Sequence, residues 1–152
     1  MIAKSVLVLN GPNLNLLGVR EPEIYGRTTL AQVEEQLAVA ARELNVVVEC
    51  SQRNGEGALI DIVHGFRGRI DGAVVNAGAY SHTSLALRDA LAAVNVPFVE
   101  VHVTNVYARE PERRHSMLAS AAVGVVVGLG TDGYVLALRG LVGVLRARGA
   151  TE

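Results

Sequence analysis

The sequence predicts an α/β domain built on a doubly wound, five-stranded parallel sheet. Three observations predict it. Short runs of aliphatic, largely β-branched residues recur along the chain, stretches with helical apolar spacing separate them, and no internal repeat or linker breaks the alternation. Nearly continuous apolar strands suit a parallel sheet covered on both faces, because the helices that connect parallel strands pack over it.

The elements follow in order. The strands are expected at residues 5–9, 46–51, 73–76, 98–103 and 123–127. Between the first two, residues 29–44 place Leu30, Val33, Leu37 and Leu44 on one helical face, and Thr29 with Gln32 forms a capping-box signature. A second helix over 56–67 turns Leu59, Ile62, Val63 and Phe66 inward. A third starts near Thr83 or Ser84 and reaches about Val94. The last covers 134–148, carries Leu136, Leu138, Leu141, Val144 and Leu145, and ends at Gly149. The architecture expected is flavodoxin-like, as one domain over 1–152. Two connections, 10–28 and 104–120, are long for such a domain, and long loops tend to be lids or binding loops.

Composition narrows the function classes. Half of the 152 residues are hydrophobic and 19% are charged, with a mean hydropathy of +0.31. That excludes disorder and suggests a thoroughly covered sheet or a homo-oligomer that hides more surface. A net charge of −1 gives no global basic field for nucleic acid or anionic lipid, although a specific anion pocket stays open. The single cysteine, Cys50, sits in a hydrophobic run and reads as a buried, inert thiol. The apolar N-terminus breaks at once into Asn10-Gly11-Pro12-Asn13, so it reads as a strand rather than a signal peptide. No apolar run reaches the roughly 18 residues of a membrane span. A soluble cytoplasmic protein is expected, with neither nucleic acid nor membrane as a partner.

In an open parallel sheet, ligands bind beyond the carboxyl ends of the strands. There the first strand runs into Asn10-Gly11-Pro12-Asn13, the third into Asn76-Ala77-Gly78-Ala79-Tyr80-Ser81-His82, and the fourth carries Glu100-Val101-His102 with Thr104-Asn105 behind it. Polar groups from three strands thus meet on one rim. The glycine spacing fits neither a dinucleotide loop nor a P-loop. His64, His82, His102 and His115 lack the clustering of a metal site. Lys4, the only lysine, lies at the wrong edge of the sheet for a Schiff base, and no nucleophile elbow occurs. Proton transfer supported by hydrogen bonds remains.

The residues that could carry it each have a plainer alternative. Tyr25 could anchor its loop as a hydrophobic plug, or serve as a base if guanidinium groups nearby, such as Arg20, favour a phenolate in a water-poor site. Gly18 and Gly26 bracket that loop as hinges. Glu100 and His102, two apart on a strand, leave the same face; they are either a satisfied structural pair or a general acid with its orienting carboxylate. Asp89, two turns beyond His82, could pair with Arg88, stay solvated, or join the site. Arg113 and Arg114 are surface charges, or donors that close over a polyhydroxylated acid.

Taken together, Asn10-Gly11-Pro12-Asn13-Leu14-Asn15-Leu16-Leu17-Gly18 with Arg20, Pro22, Tyr25 and Gly26, then Asn76-Ala77-Gly78-Ala79-Tyr80-Ser81-His82-Thr83-Ser84 with Arg88-Asp89, and finally Glu100-Val101-His102, resemble the type II 3-dehydroquinate dehydratases over roughly residues 6–145. The resemblance implies a cofactor-free anti elimination of water from 3-dehydroquinate through an enolate, giving 3-dehydroshikimate. It implies Tyr25 as proton acceptor with Arg20 assisting, His102 as proton donor oriented by Glu100, and Asn13 holding a water against the enolate oxygen. Asn76, His82, Asp89 and Arg113 correspond to substrate-binding residues, chiefly for ring hydroxyls, and Val103 and Thr104 to the carboxylate site. It also implies a dodecamer of trimers in which Asp89 reaches a neighbour's site. The chain departs from the family pattern at Thr104 (usually Ser), Tyr107 (usually His) and Pro111-Glu112 (usually an acidic-aromatic pair), close to Arg113. The rival reading is a flavodoxin-like binding or signalling module. A receiver domain, however, would want an acidic cluster after the first strand and a lysine after the last, and a flavin binder a Ser/Thr-rich phosphate loop; the sequence has none of these.

Overall fold

A computed structural model describes residues 3–149. Five parallel strands, β1 (Ser5–Asn10), β2 (Val47–Gln52), β3 (Gly72–Asn76), β4 (Phe98–His102) and β5 (Gly124–Val127), form one sheet in the order β2-β1-β3-β4-β5. The helices are α1 (Pro22–Tyr25), α2 (Leu30–Leu44), α3 (Glu56–Gly65), α4 (Leu85–Val94) and α5 (Asp132–Gly149). The chain order reverses between β1 and β3, which creates a crevice at the carboxyl edge.

The strand pleat divides the core in two. Val6, Val8, Val74, Val99 and Val101 face α2 and α5, where Leu37, Leu138 and Leu141 are fully buried. Leu7, Leu9, Ala73, Val75 and Phe98 face α3 and α4 with Leu59, Leu87 and Leu91. Alternate residues of one strand therefore anchor opposite layers.

Helix ends follow their sequence signals. The Thr29 hydroxyl accepts from the Gln32 amide at 3.2 Å, while the Gln32 side chain accepts from the Thr29 amide at 3.0 Å. Ser84 caps α4 by accepting from the Leu87 amide. Both α2 and α4 stop at an asparagine, Asn45 and Asn95, in the left-handed conformation.

Four expectations need correction. Burial on both faces holds for β1, β3 and β4 but not for the sheet edges: Val47 and Glu49 of β2 and Val125 of β5 are exposed. Leu136 also faces outward, because it lies on the far side of α5 from Leu138 and Leu141. Cys50, on edge strand β2, is half-buried; burial, with help from the Glu34 charge, still pushes its thiol up to about 12. Finally, α5 begins at Asp132, two residues early, and α3 ends at Gly65, two residues early. No helix among the described residues is long and apolar enough to cross a membrane.

Candidate active site

The site is built at the carboxyl ends of β1, β3 and β4. After β1 the chain turns over at Gly11, where a Cβ would lie 2.3 Å from the Ala77 carbonyl oxygen, so only glycine lets the β1 and β3 loops touch. Asn13 follows with φ 69; its amide donates to the Asn54 side chain at 3.0 Å, and Tyr80 in turn donates to the Asn54 carbonyl at 2.7 Å. Asn13 is thereby fixed on the rim.

The segment after Asn13 returns over the edge as α1, with Gly18 and Gly26 at φ 86 and 82 on either side. It delivers Tyr25. The Arg20 guanidinium lies 4.8 Å from the centre of the Tyr25 ring and also pairs with Glu21 at 3.4 Å. A second guanidinium, that of Arg109, donates to the phenolic oxygen at 2.9 Å and reaches the Thr104 hydroxyl at 3.4 Å. Arg109 was not singled out in the sequence, because nothing in its loop distinguishes it from Arg113 or Arg114.

On β4, Glu100 and His102 are both buried, and the Glu100 carboxylate accepts from His102 Nε2. The His82 ring stacks on that of His102, centres 6.0 Å apart. His82 Nδ1 donates to the His115 carbonyl at 2.8 Å; a carbonyl can only accept, so Nδ1 carries a proton. Beneath the rim, Asn76 donates to the buried Tyr134 hydroxyl at 2.8 Å, which donates to Asn10 at 2.7 Å. Burial pushes the Tyr134 phenol up, so it stays protonated in that role.

These groups meet in one cavity of about 190 Å³, whose wall includes Asn13, Arg20, Tyr25, Asn76, His82, His102, Val103, Thr104, Arg109 and Arg113. A larger, more open cavity of about 770 Å³ lies on the other side of Tyr25 and Arg109, towards residues 128–132, and contains neither histidine. Only the smaller one brings the Tyr25 phenol and the two imidazoles to one wall. Arg113 enters its wall from a 3-10 turn, Pro111–Arg113, where Pro111 sits at a first-turn position whose N–H would be unsatisfied anyway. The departure at Pro111 therefore leaves Arg113 in place, paired to Glu110 at 2.6 Å; that bond also holds the Glu110 carboxyl below the usual range. Of the expected residues, Glu100 stands behind His102 rather than in the wall, and Asp89 lies apart from the site. It is exposed and outside the cavity, and Arg88 turns away from it to Met117 and Ser120. Among the described residues no group of His, Cys, Asp and Glu could hold a metal ion.

The family model described as dehydroquinase class II matches residues 4–142. The chain belongs to the class II dehydroquinases. It is 62% identical, over 93% of each chain, to the 3-dehydroquinate dehydratase of Gemmatimonas aurantiaca. It is 56% identical to catabolic 3-dehydroquinase 1 of Aspergillus terreus, over 89% of each. The solved type II dehydroquinase of Butyrivibrio crossotus superposes with a TM-score of 0.89 at 42% identity, covering 91% of this chain and 97% of that one. Besides Arg109, this class II dehydroquinase reveals two residues that its sequence concealed: Ser116, behind Glu100, and Tyr134, behind Asn76. Ser116 carries no local signal. Tyr134 looks like one more apolar position of α5.

Proposed function

We propose that Tyr25 and His102 act as base and acid on opposite sides of one small hydroxylated ring. The family makes the chain a 3-dehydroquinate dehydratase, a hydro-lyase at the dehydration step of the shikimate pathway. The observation that carries the site reading is the convergence of the Tyr25 phenol, beside two guanidinium groups, and the carboxylate-backed His102 imidazole on one cavity.

The proton to be lost lies α to a ketone and is only weakly acidic, so an enolate must be stabilised as it forms. Tyr25, as phenolate, takes that proton, with Arg20 and Arg109 balancing the charge. A water held by Asn13 donates to the enolate oxygen. His102, kept in one orientation by Glu100, protonates the β-hydroxyl as it leaves, in an anti elimination that needs no cofactor. Asn76, His82 and Arg113 bind ring hydroxyls, and the Val103–Thr104 backbone with the Thr104 hydroxyl binds the carboxylate. The loop between Gly18 and Gly26 closes to exclude water.

Asp89 serves the site of a neighbouring copy in a dodecamer of trimers, in the cytoplasm. Its exposed carboxylate, which has no partner among the described residues, supports this, as do the exposed Val123, Val125, Leu129 and Leu136 along the β5 edge, since an apolar sheet edge is ordinarily covered. The test is an absorbance assay for the conjugated enone product with 3-dehydroquinate and no added cofactor. Appearance of the enone absorbance is expected; its absence with folded protein would overturn the reading.

A further inference from the structure

Behind the Glu100–His102 pair stands a group that the reaction scheme does not use. Ser116 lies in the connection between β4 and β5, and its hydroxyl touches four partners. Two are backbone amides: Leu118 and Ala119 both donate to its Oγ at 3.0 Å. The other two are the Glu100 oxygens, at 2.7 and 2.9 Å. A serine hydroxyl has two lone pairs and one proton. Both lone pairs are taken by the amides, so the proton must point at Glu100.

The consequence passes through Glu100 to His102. A hydroxyl that can only donate makes the carboxylate oxygen it faces an acceptor and fixes how the carboxyl group is turned. Because the same carboxyl group holds His102 Nε2, the ring is held at one angle. Among the described residues, Ser116 and His102 are the side chains hydrogen-bonded to Glu100; His82, stacked on His102, and Arg20, Tyr25, Arg109 and Arg113 line the cavity with His102, and Arg88 binds the Met117 carbonyl and the Ser120 hydroxyl next to Ser116. The adjoining residue, His115, fixes His82 through its carbonyl. One short stretch, His115-Ser116, therefore holds both imidazoles of the site.

We infer that Ser116 is a positioning residue for the dehydration: through Glu100 it sets how the His102 ring is aimed. The inference rests on the roles proposed above for Glu100 and His102, and the experiment separates the two. It compares kcat, KM and the imidazole ¹⁵N signals of His102 in the unaltered enzyme, Ser116→Ala, Ser116→Thr and Glu100→Gln, with thermal melts to establish folding. Losing a hydrogen bond to a charged group corresponds to a drop in kcat of about tenfold or more. Ser116→Ala is expected to show that drop with KM nearly unchanged, together with a His102 ¹⁵N shift in the direction seen for Glu100→Gln. Ser116→Thr, which keeps the hydroxyl, restores both. Where Ser116→Ala does not fold, Ser116→Cys, a weaker donor of similar size, carries the same expectation. If Glu100→Gln alters kcat and the ¹⁵N signals while the folded Ser116 variants alter neither, Ser116 has no such role and the Glu100–His102 reading stands. If Glu100→Gln also leaves them unaltered, both fall.

Discussion

Arg109 donates to the phenolic oxygen of Tyr25 at 2.9 Å across 84 positions of sequence, joining the loop after β4 to the segment that covers the site. The contact does two things at once. It closes the covering segment against the sheet, and it puts a permanent positive charge where a phenolate would need one. Arg20 approaches the ring face from its own loop at 4.8 Å, so two cations from separate parts of the chain flank one tyrosine.

Tyr25→Phe should therefore reduce turnover to a small residual rate while substrate still binds, and Arg109→Met should lower kcat by about 100-fold, the lower range for a lost acid–base or charge-stabilising group. Because the two act as a unit, adding Arg109→Met to Tyr25→Phe should cost little more. Enone absorbance gives kcat, and calorimetric titration gives binding. Full additivity of the two losses would show that Arg109 acts elsewhere than on Tyr25.

Tyr134 links Asn10 to Asn76 beneath the cavity and is itself fully buried. Tyr134→Phe keeps the packing but strips both asparagines of their shared partner, and Asn10 Nδ2 already has none. A loss of about 1–3 kcal/mol in denaturant unfolding is expected, the usual cost of stranding buried polar groups. Asn76 loses its anchor as well, so KM should rise more than kcat falls. Unchanged stability and KM would remove the network from the account of substrate binding.

The pattern of what could be read in the sequence has a physical basis. Glu100 and His102 were legible because strand geometry puts residues two apart on one face, and the Thr29 and Ser84 caps because they are local. Arg109 and Ser116 were not, because each acts through a contact set by loop conformation, which no residue spacing encodes. The exposed edge strands β2 and β5 escaped for a related reason: strand order, not composition, decides which apolar strand lies outermost.

Alkaline conditions should weaken the fold. The half-buried Cys50 thiol is raised from 9.0 to about 12, mainly by burial, and the Tyr134 phenol is raised too. A raised folded value means that the folded state resists losing the proton, while the unfolded chain gives it up near the ordinary value. The stabilisation is fully present below about pH 9 and is lost as pH climbs towards the folded value of about 12. Melting temperature should fall over that range, less steeply in Cys50→Ala. Identical slopes for the two proteins would show that the thiol plays no part.

Asp89 sits exposed outside the cavity of its own chain, and none of the described residues pairs with it. If copies associate so that it enters a neighbour's site, then Asp89→Ala and Tyr25→Phe damage different parts of a shared centre. Each variant alone should be nearly inactive. After mixed unfolding and refolding, some sites will combine an intact Tyr25 from one copy with an intact Asp89 from the next. Activity should then rise well above that of either parent and depend on protein concentration during refolding. Mixtures no more active than the average of the parents would show that Asp89 does not complete a neighbour's site.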